Sequence, residues 1–184
     1  ATTEIYTLTP HAALPIGKKI AIVGPNGSGK STLLKEIIAD GEGIYVSPKI
    51  VFAVYEQMGH RKNSTTPLLT ELMAQTDYQE PLVRSILHNL GFSQIDVMKP
   101  VNVLSGGEAT RVELARIFTQ PANVLILDEP TNFIDLPTIT VLEQLIRSYR
   151  GMVLFTSHDQ AFIDAVADDV YLIDHGKLTL VSSN

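Results

Sequence analysis

The residues best equipped for chemistry form a glycine-rich run, Gly24-Pro25-Asn26-Gly27-Ser28-Gly29-Lys30-Ser31, followed by Thr32. The run fits G-x-x-x-x-G-K-[ST]. Glycines let a backbone wrap closely around phosphate and turn its N–H groups inward. A helix starting at Lys30 adds partial positive charge at its N-terminus. On this reading Lys30 reaches the β- and γ-phosphates, Ser31 ligates Mg²⁺ through its hydroxyl, and Thr32 bonds the α-phosphate. The run marks a nucleoside-triphosphate site without saying what is done there.

Two further groups carry charge or exposed N–H donors. Asp128 and Glu129 end the apolar run Val124–Leu127. Ligands of a parallel sheet sit beyond the carboxyl ends of its strands, so Asp128 is expected to face the phosphate loop and hold Mg²⁺ through water. Successive strand residues point opposite ways. Glu129 therefore need not share that role and is placed to polarise an attacking water as general base. The plain alternative is a solvated acidic turn. In Leu104-Ser105-Gly106-Gly107-Glu108, Ser105 suits a helix N-cap, and Gly106 and Gly107 expose N–H groups at a positive helix end. That is a second anion site. One chain around one nucleotide hardly needs two, so this one is expected to face another subunit's γ-phosphate.

These groups require a particular set of elements. Lys19–Val23 reads as a buried strand and 30–39 as a helix. Residues 44–46 and 50–55 read as short strands split by Ser47-Pro48. Residues 67–74 and 81–90 read as helices with Pro in the first turn, Gly91 ending the second. A helix over 108–119 follows. Then come strand Val124–Leu127, helix 137–149, strand 152–155, helix Gln160–Val166 and strand 170–173. Asp174-His175-Gly176 is a tight turn into a last strand, 178–181. Strand–helix alternation with runs such as VLIL indicates an α/β fold with a mostly parallel sheet covered on both faces. The helical stretch 66–101 is expected as a subdomain on its side.

Composition bounds the rest. The chain has 184 residues, 14 Lys+Arg and 20 Asp+Glu, for a net charge of −6. That length suits one domain with a full core. Hydrophobic content of 45% and charged content of 18% exclude a disordered chain. With no Cys there is no disulfide framework and no Cys-based metal site. The acidic balance argues against this chain by itself as a general nucleic-acid binder. The longest apolar run, 50–55, is far short of the roughly 20 residues of a membrane-spanning helix, and residues 1–10 lack a signal-peptide pattern. The expected compartment is cytoplasmic. The chain begins with Ala and not Met, which suggests excision from something longer.

Taken together, GPNGSGKST, LSGGE and VLILDEP resemble the Walker A, signature and Walker B motifs of the ABC ATPase superfamily, in that family's order and spacing. The resemblance covers about the whole chain, as one domain over 1–184. It implies a P-loop NTPase, RecA-like core over about 1–60 and 102–184, and a small helical subdomain over about 61–101. It also implies ATP hydrolysis with Mg²⁺. Two nucleotides would be sandwiched in a head-to-tail pair, each between the 24–32 loop of one domain and Ser105, Gly106 and Gly107 of the other. Carried over residue by residue, Gln57 resembles the Q-loop glutamine that contacts Mg²⁺ and water. His158, after a strand, resembles the switch histidine that contacts γ-phosphate and orients water. Asp135 resembles the D-loop aspartate that signals across the pair, although a helix-capping carboxylate before Pro137 is the structural alternative. Tyr6 is the nearest candidate for the adenine-stacking aromatic, but it lies closer to Gly24 than that residue usually does.

Glu129-Pro130-Thr131-Asn132-Phe133-Ile134-Asp135 narrows the branch. Asn132 resembles the ABC-F pattern E-P-T-N-H-[LI]-D, with Phe133 in place of the usual His. Ala109 after SGGE suits the same branch. ABC-F members carry two ATPase domains on one chain and act on ribosomes, in translation or in protection from antibiotics. No long charged hairpin lies between Gln57 and Leu104, which suggests the second of the two domains. The net charge of −6 does not oppose a ribosome partner if contacts lie outside these residues. The alternative is the motor subunit of a membrane transporter, paired with a transmembrane permease.

Overall fold

The computed structural model describes residues 17–55 and 64–183. Among them a six-stranded sheet runs in the order β2-β3-β4-β1-β5-β6. The strands are β1 (Lys19–Val23), β2 (Phe52–Tyr55), β3 (Val124–Leu127), β4 (Met152–Thr156), β5 (Asp169–Asp174) and β6 (Lys177–Ser183). All pair in parallel except β6, which returns antiparallel on β5. The β5–β6 turn has positive φ at His175 (47°) and Gly176 (75°), the backbone that two-residue hairpins favour.

The helices are α1 (Lys30–Ile38), α2 (Leu68–Met73), α3 (Glu80–Asn89), α4 (Gly106–Thr119), α5 (Leu136–Ser148) and α6 (Gln160–Val166). They cover both sheet faces, which is why β3 and β4 are buried along their whole length. On one face, Ala21, Leu125, Leu127 and Phe155 pack with residues of α2 to α6. On the other, Ile20, Ile22, Ile126 and Leu154 pack on Leu33 and Leu34 of α1. Alternate residues of one strand thus serve different layers.

The helical stretch leaves and rejoins the core at one place. Leu68 N–H donates to Lys99 O at 3.0 Å, and Asn102 N–H to Ser64 O at 3.1 Å. Leu68, Leu72 and Leu87 belong to the same apolar cluster as Leu125 and Phe155. Arg116 of α4, nearly buried, bridges to Glu71 of α2 at 2.8 Å. The signature helix is therefore bolted to the helical stretch as well as to the sheet.

One expected strand is absent. Residues 44–46 form no ladder. Ile44 N–H donates to Gly41 O at 3.0 Å and Val46 N–H to the Asp40 carboxylate at 2.9 Å. Local turn partners take the donors that a strand would give to a neighbour.

Candidate functional site

The register of the parallel strands assembles the site. Tyr55, Leu127, Phe155 and Ala21 lie side by side across β2, β3, β4 and β1. The residues that follow these strands emerge together at the carboxyl end of the sheet. Asp128 and Glu129 follow β3, Ser157 and His158 follow β4, and Gly24 follows β1. β4 lies between the strand that carries the carboxylates and the strand that carries the phosphate loop. β5 crosses to the other side of β1, so the site sits where the strand order reverses.

The loop after β1 has a conformation that only glycine suits at two positions. A Cβ on Gly24 (φ 154°) would collide with the carbonyl oxygen of Ile173, and Gly29 (φ 99°) is left-handed at the N-cap of α1. Helices α4, α5 and α6 are each capped by a side chain, but α1 has no side-chain cap and no acid in its first turn. Its first N–H groups are left for an anion. Lys30, 7% exposed, folds back into the loop, donating to Gly24 O at 2.8 Å and Pro25 O at 3.0 Å. Ser28 Oγ is buried without a hydrogen-bond partner. Ser31 and Thr32 are exposed on the first turn of α1. A glycine cradle, an uncapped helix and an orphaned hydroxyl fit a phosphate chain.

The acidic end of β3 is tightly held. Asp128 Oδ1 accepts the Thr156 hydroxyl at 2.7 Å, and Glu129 N–H donates to the same Thr156 oxygen at 2.9 Å. Glu129 has φ 48°, strained for a side-chain-bearing residue. Both of its carboxylate oxygens are shielded from solvent without a well-aligned hydrogen bond. Oε1 lies 3.1 Å from His158 Nε2, whose side chain is 49% exposed. Burial pushes the Glu129 carboxyl above its ordinary range, while His158 and Lys30 pull it back. A shielded carboxylate facing an imidazole can take a proton from water.

Among the described residues no group of three or more acidic or His side chains could hold a metal. Mg²⁺ takes most of its ligands from water and phosphate, so it would need only a carboxylate such as Asp128 and a hydroxyl such as Ser31 from the protein. Gln57 and Tyr6 lie outside the described residues.

The remaining candidates lie on two exposed turns. Ser105 caps α4 in a reciprocal capping box with Glu108, with contacts of 3.3 and 2.8 Å. A Cβ on Gly106 or Gly107 would meet no atom within 4 Å. Among the described residues, no contact calls for glycine at either. Asp135 caps α5 by accepting Thr138 N–H at 3.3 Å. Thr138 holds its carboxyl below the usual range, with a smaller pull from Arg111. Capping thus accounts for Asp135 within this chain. Phe133 stands 93% exposed at φ 62°. Thr156 has no role in the sequence-based expectations; its one signal there is a hydroxyl ending an otherwise apolar strand.

A sequence model of the family described as ABC transporter matches residues 10–132. The chain belongs to this family. Membership carries nucleotide binding with it. The chain is 48% identical over 155 residues to the erythromycin resistance ATP-binding protein MsrA of Staphylococcus epidermidis, covering 84% of this chain and 32% of that protein. It is 40% identical over 171 residues to the ATP-binding protein Uup of Escherichia coli K12, covering 87% and 27%. It is 34% identical over 175 residues to ABC transporter F family member 2 of Arabidopsis thaliana, covering 91% and 26%. These relatives place this ABC domain with the ABC-F branch, and it spans about a third or less of their length. Among solved structures it resembles RNase-L Inhibitor, with a TM-score of 0.72 at 28% identity over 89% of this chain and 34% of that one. It also resembles a chain in the complex of archaeal ribosomal stalk protein aP1 and ribosome recycling factor aABCE1. That match has a TM-score of 0.69 at 27% identity, over 89% and 34%. These matches agree with the α/β sheet described above. No helix among the described residues is long and apolar enough to cross a membrane.

Proposed function

We propose that this chain is the ATP-hydrolysing domain of a cytoplasmic ABC-F-type protein that acts on the ribosome. It would work paired head-to-tail with another ABC domain, as the second such domain of its protein, with a core over about 1–60 and 102–184 and a helical subdomain over about 61–101. The observation that carries hydrolysis is Glu129, its oxygens shielded and Oε1 3.1 Å from His158 Nε2 beside the phosphate loop. The ribosome reading is supported by the names of the relatives, which include erythromycin resistance and a ribosome recycling factor.

In this mechanism the loop N–H groups and the first turn of α1 hold the phosphates of ATP, and Lys30 leaves the Gly24 and Pro25 carbonyls to meet the β- and γ-phosphates. Ser31, Gln57 and Asp128 would hold Mg²⁺, which when bound offsets phosphate charge. Glu129 takes a proton from water as its oxygen attacks the γ-phosphorus, and His158 orients that water. The bond from the γ-phosphorus to the β–γ bridging oxygen breaks, leaving ADP and phosphate. Ser105, Gly106 and Gly107 serve the γ-phosphate of the paired domain. Binding then closes the pair and hydrolysis releases it.

Co-sedimentation of the Glu129→Gln protein with ribosomes tests both halves. We expect ATP-dependent retention on ribosomes and turnover reduced by about two orders of magnitude or more. Undiminished turnover removes Glu129 as the base, and no retention in ATP removes the ribosome.

A further inference from the structure

Strand β4 is apolar through Phe155 and ends in a hydroxyl. Thr156 is fully buried, at 0% exposure. A valine would fill the same volume in a buried central strand without a polar atom to satisfy. The hydroxyl is used twice. It donates to Asp128 Oδ1 at 2.7 Å and accepts the Glu129 N–H at 2.9 Å. Both bonds run to consecutive residues at the end of the neighbouring strand. They grip the peptide group between them, where the chain turns left-handed at Glu129 (φ 48°). The next residues continue the clasp. Ser157 Oγ lies 3.5 Å from Thr131 Oγ1 and accepts the Asp159 N–H at 3.0 Å, and His158 Nε2 lies 3.1 Å from Glu129 Oε1. Three successive residues leaving β4 thus touch the segment 128–131.

We propose that Thr156 is a positioning residue for both carboxylates of the site. Its O–H fixes Asp128 through Oδ1 and leaves Oδ2 to serve the cation. Its oxygen anchors the Glu129 backbone, so the Glu129 carboxylate stands against His158 in spite of the strained turn. The role rests on reading Glu129 as the base of ATP hydrolysis. Thr156 is fully buried, and its side chain acts through Asp128 and Glu129.

Thr156→Val removes the hydroxyl and keeps the shape. Misplacing a catalytic group by about 1 Å costs on the order of 100-fold in rate. We expect kcat to fall by about 10- to 100-fold, with the affinity for ATP, titrated directly, changed less than about threefold on the same scale of reasoning. Thr156→Ser restores the hydroxyl and is expected to recover most of the turnover. If the valine variant does not fold, Thr156→Cys against Thr156→Ser makes the same comparison, because a thiol is a weak donor and acceptor. Turnover of the valine variant close to the parent's overturns the proposal. So does a serine variant as impaired as the valine one, or a loss of ATP affinity matching the loss of kcat. Glu129→Gln is assayed alongside. If it hydrolyses ATP, the base reading fails and this inference with it. If it is inactive beside an active Thr156→Val protein, the positioning role alone fails.

Discussion

Replacing Glu129 by glutamine keeps the size of the side chain and removes its charge, so the surroundings of that charge set the expected result for stability. Both carboxylate oxygens are shielded from water, and burial is the main influence on the group, raising its pKa above the ordinary 4.5. A raised folded-state value means that the folded protein holds the proton more tightly than the unfolded chain does. The contribution to stability is present at low pH and is lost as pH rises from 4.5 through the raised folded value. At neutral pH the ionised group therefore opposes folding. Each unit of upward shift is worth about 1.4 kcal/mol, and His158 and Lys30 offset part of it. Glutamine should raise the melting temperature of the nucleotide-free protein at pH 8, by about 2–4 °C for each kcal/mol of opposition removed in a domain of this size. Thermal unfolding of parent and variant at pH 8 and near pH 5 checks this, with the gap narrowing on acidification. A variant no more stable than the parent at pH 8, or a gap that widens in acid, would refute burial as the governing influence on Glu129.

Three other changes have expected outcomes. Lys30→Ala removes the ammonium that sits on the Gly24 and Pro25 carbonyls; a charge-assisted bond is worth about 1.5–3 kcal/mol, so nucleotide titration should show affinity down by roughly tenfold or more. Gly24→Ala drives a Cβ into the Ile173 carbonyl and to within 2.9 Å of Ser28 Oγ; overpacking of this kind costs about 1–3 kcal/mol, which calorimetry would register as a lower melting temperature. Ser105→Ala breaks the capping box of α4; losing an N-cap costs about 1 kcal/mol, and a melting temperature unchanged within error would contradict it.

The strands that matter most to the site were plain in the sequence. β1 and β3 have the bounds that the sequence predicts, Lys19–Val23 and Val124–Leu127, because a strand buried on both faces has no polar alternation to blur it. The phosphate loop was legible for a related reason: its glycines answer to local backbone demands, at φ 154° for Gly24 and 99° for Gly29. Residues 44–46 misled because β-branched and aromatic content says that a segment fits a strand, not that a partner is there to pair with. Start points slipped by two residues at α4, where the capping box puts Gly106 at the first helical position, and by one at α5, where Asp135 caps Leu136. Strand order and register were beyond reach, since both depend on contacts distant in sequence. For the same reason the reach of Thr156 to Asp128, 28 residues away, could not be read in advance.

The open surroundings of Gly106 and Gly107 have a bearing on how damage to this protein would show itself. Among the described residues a methyl group added at either meets no atom within 4 Å, and alanine is a better helix former than glycine. Chaperones and proteases that patrol for unfolded chains would find nothing to act on in such a mutant. It would accumulate normally, melt at or above the parent's temperature and still load nucleotide in its own loop. Under the proposed head-to-tail pairing, the lesion would be written in one domain and read in its neighbour.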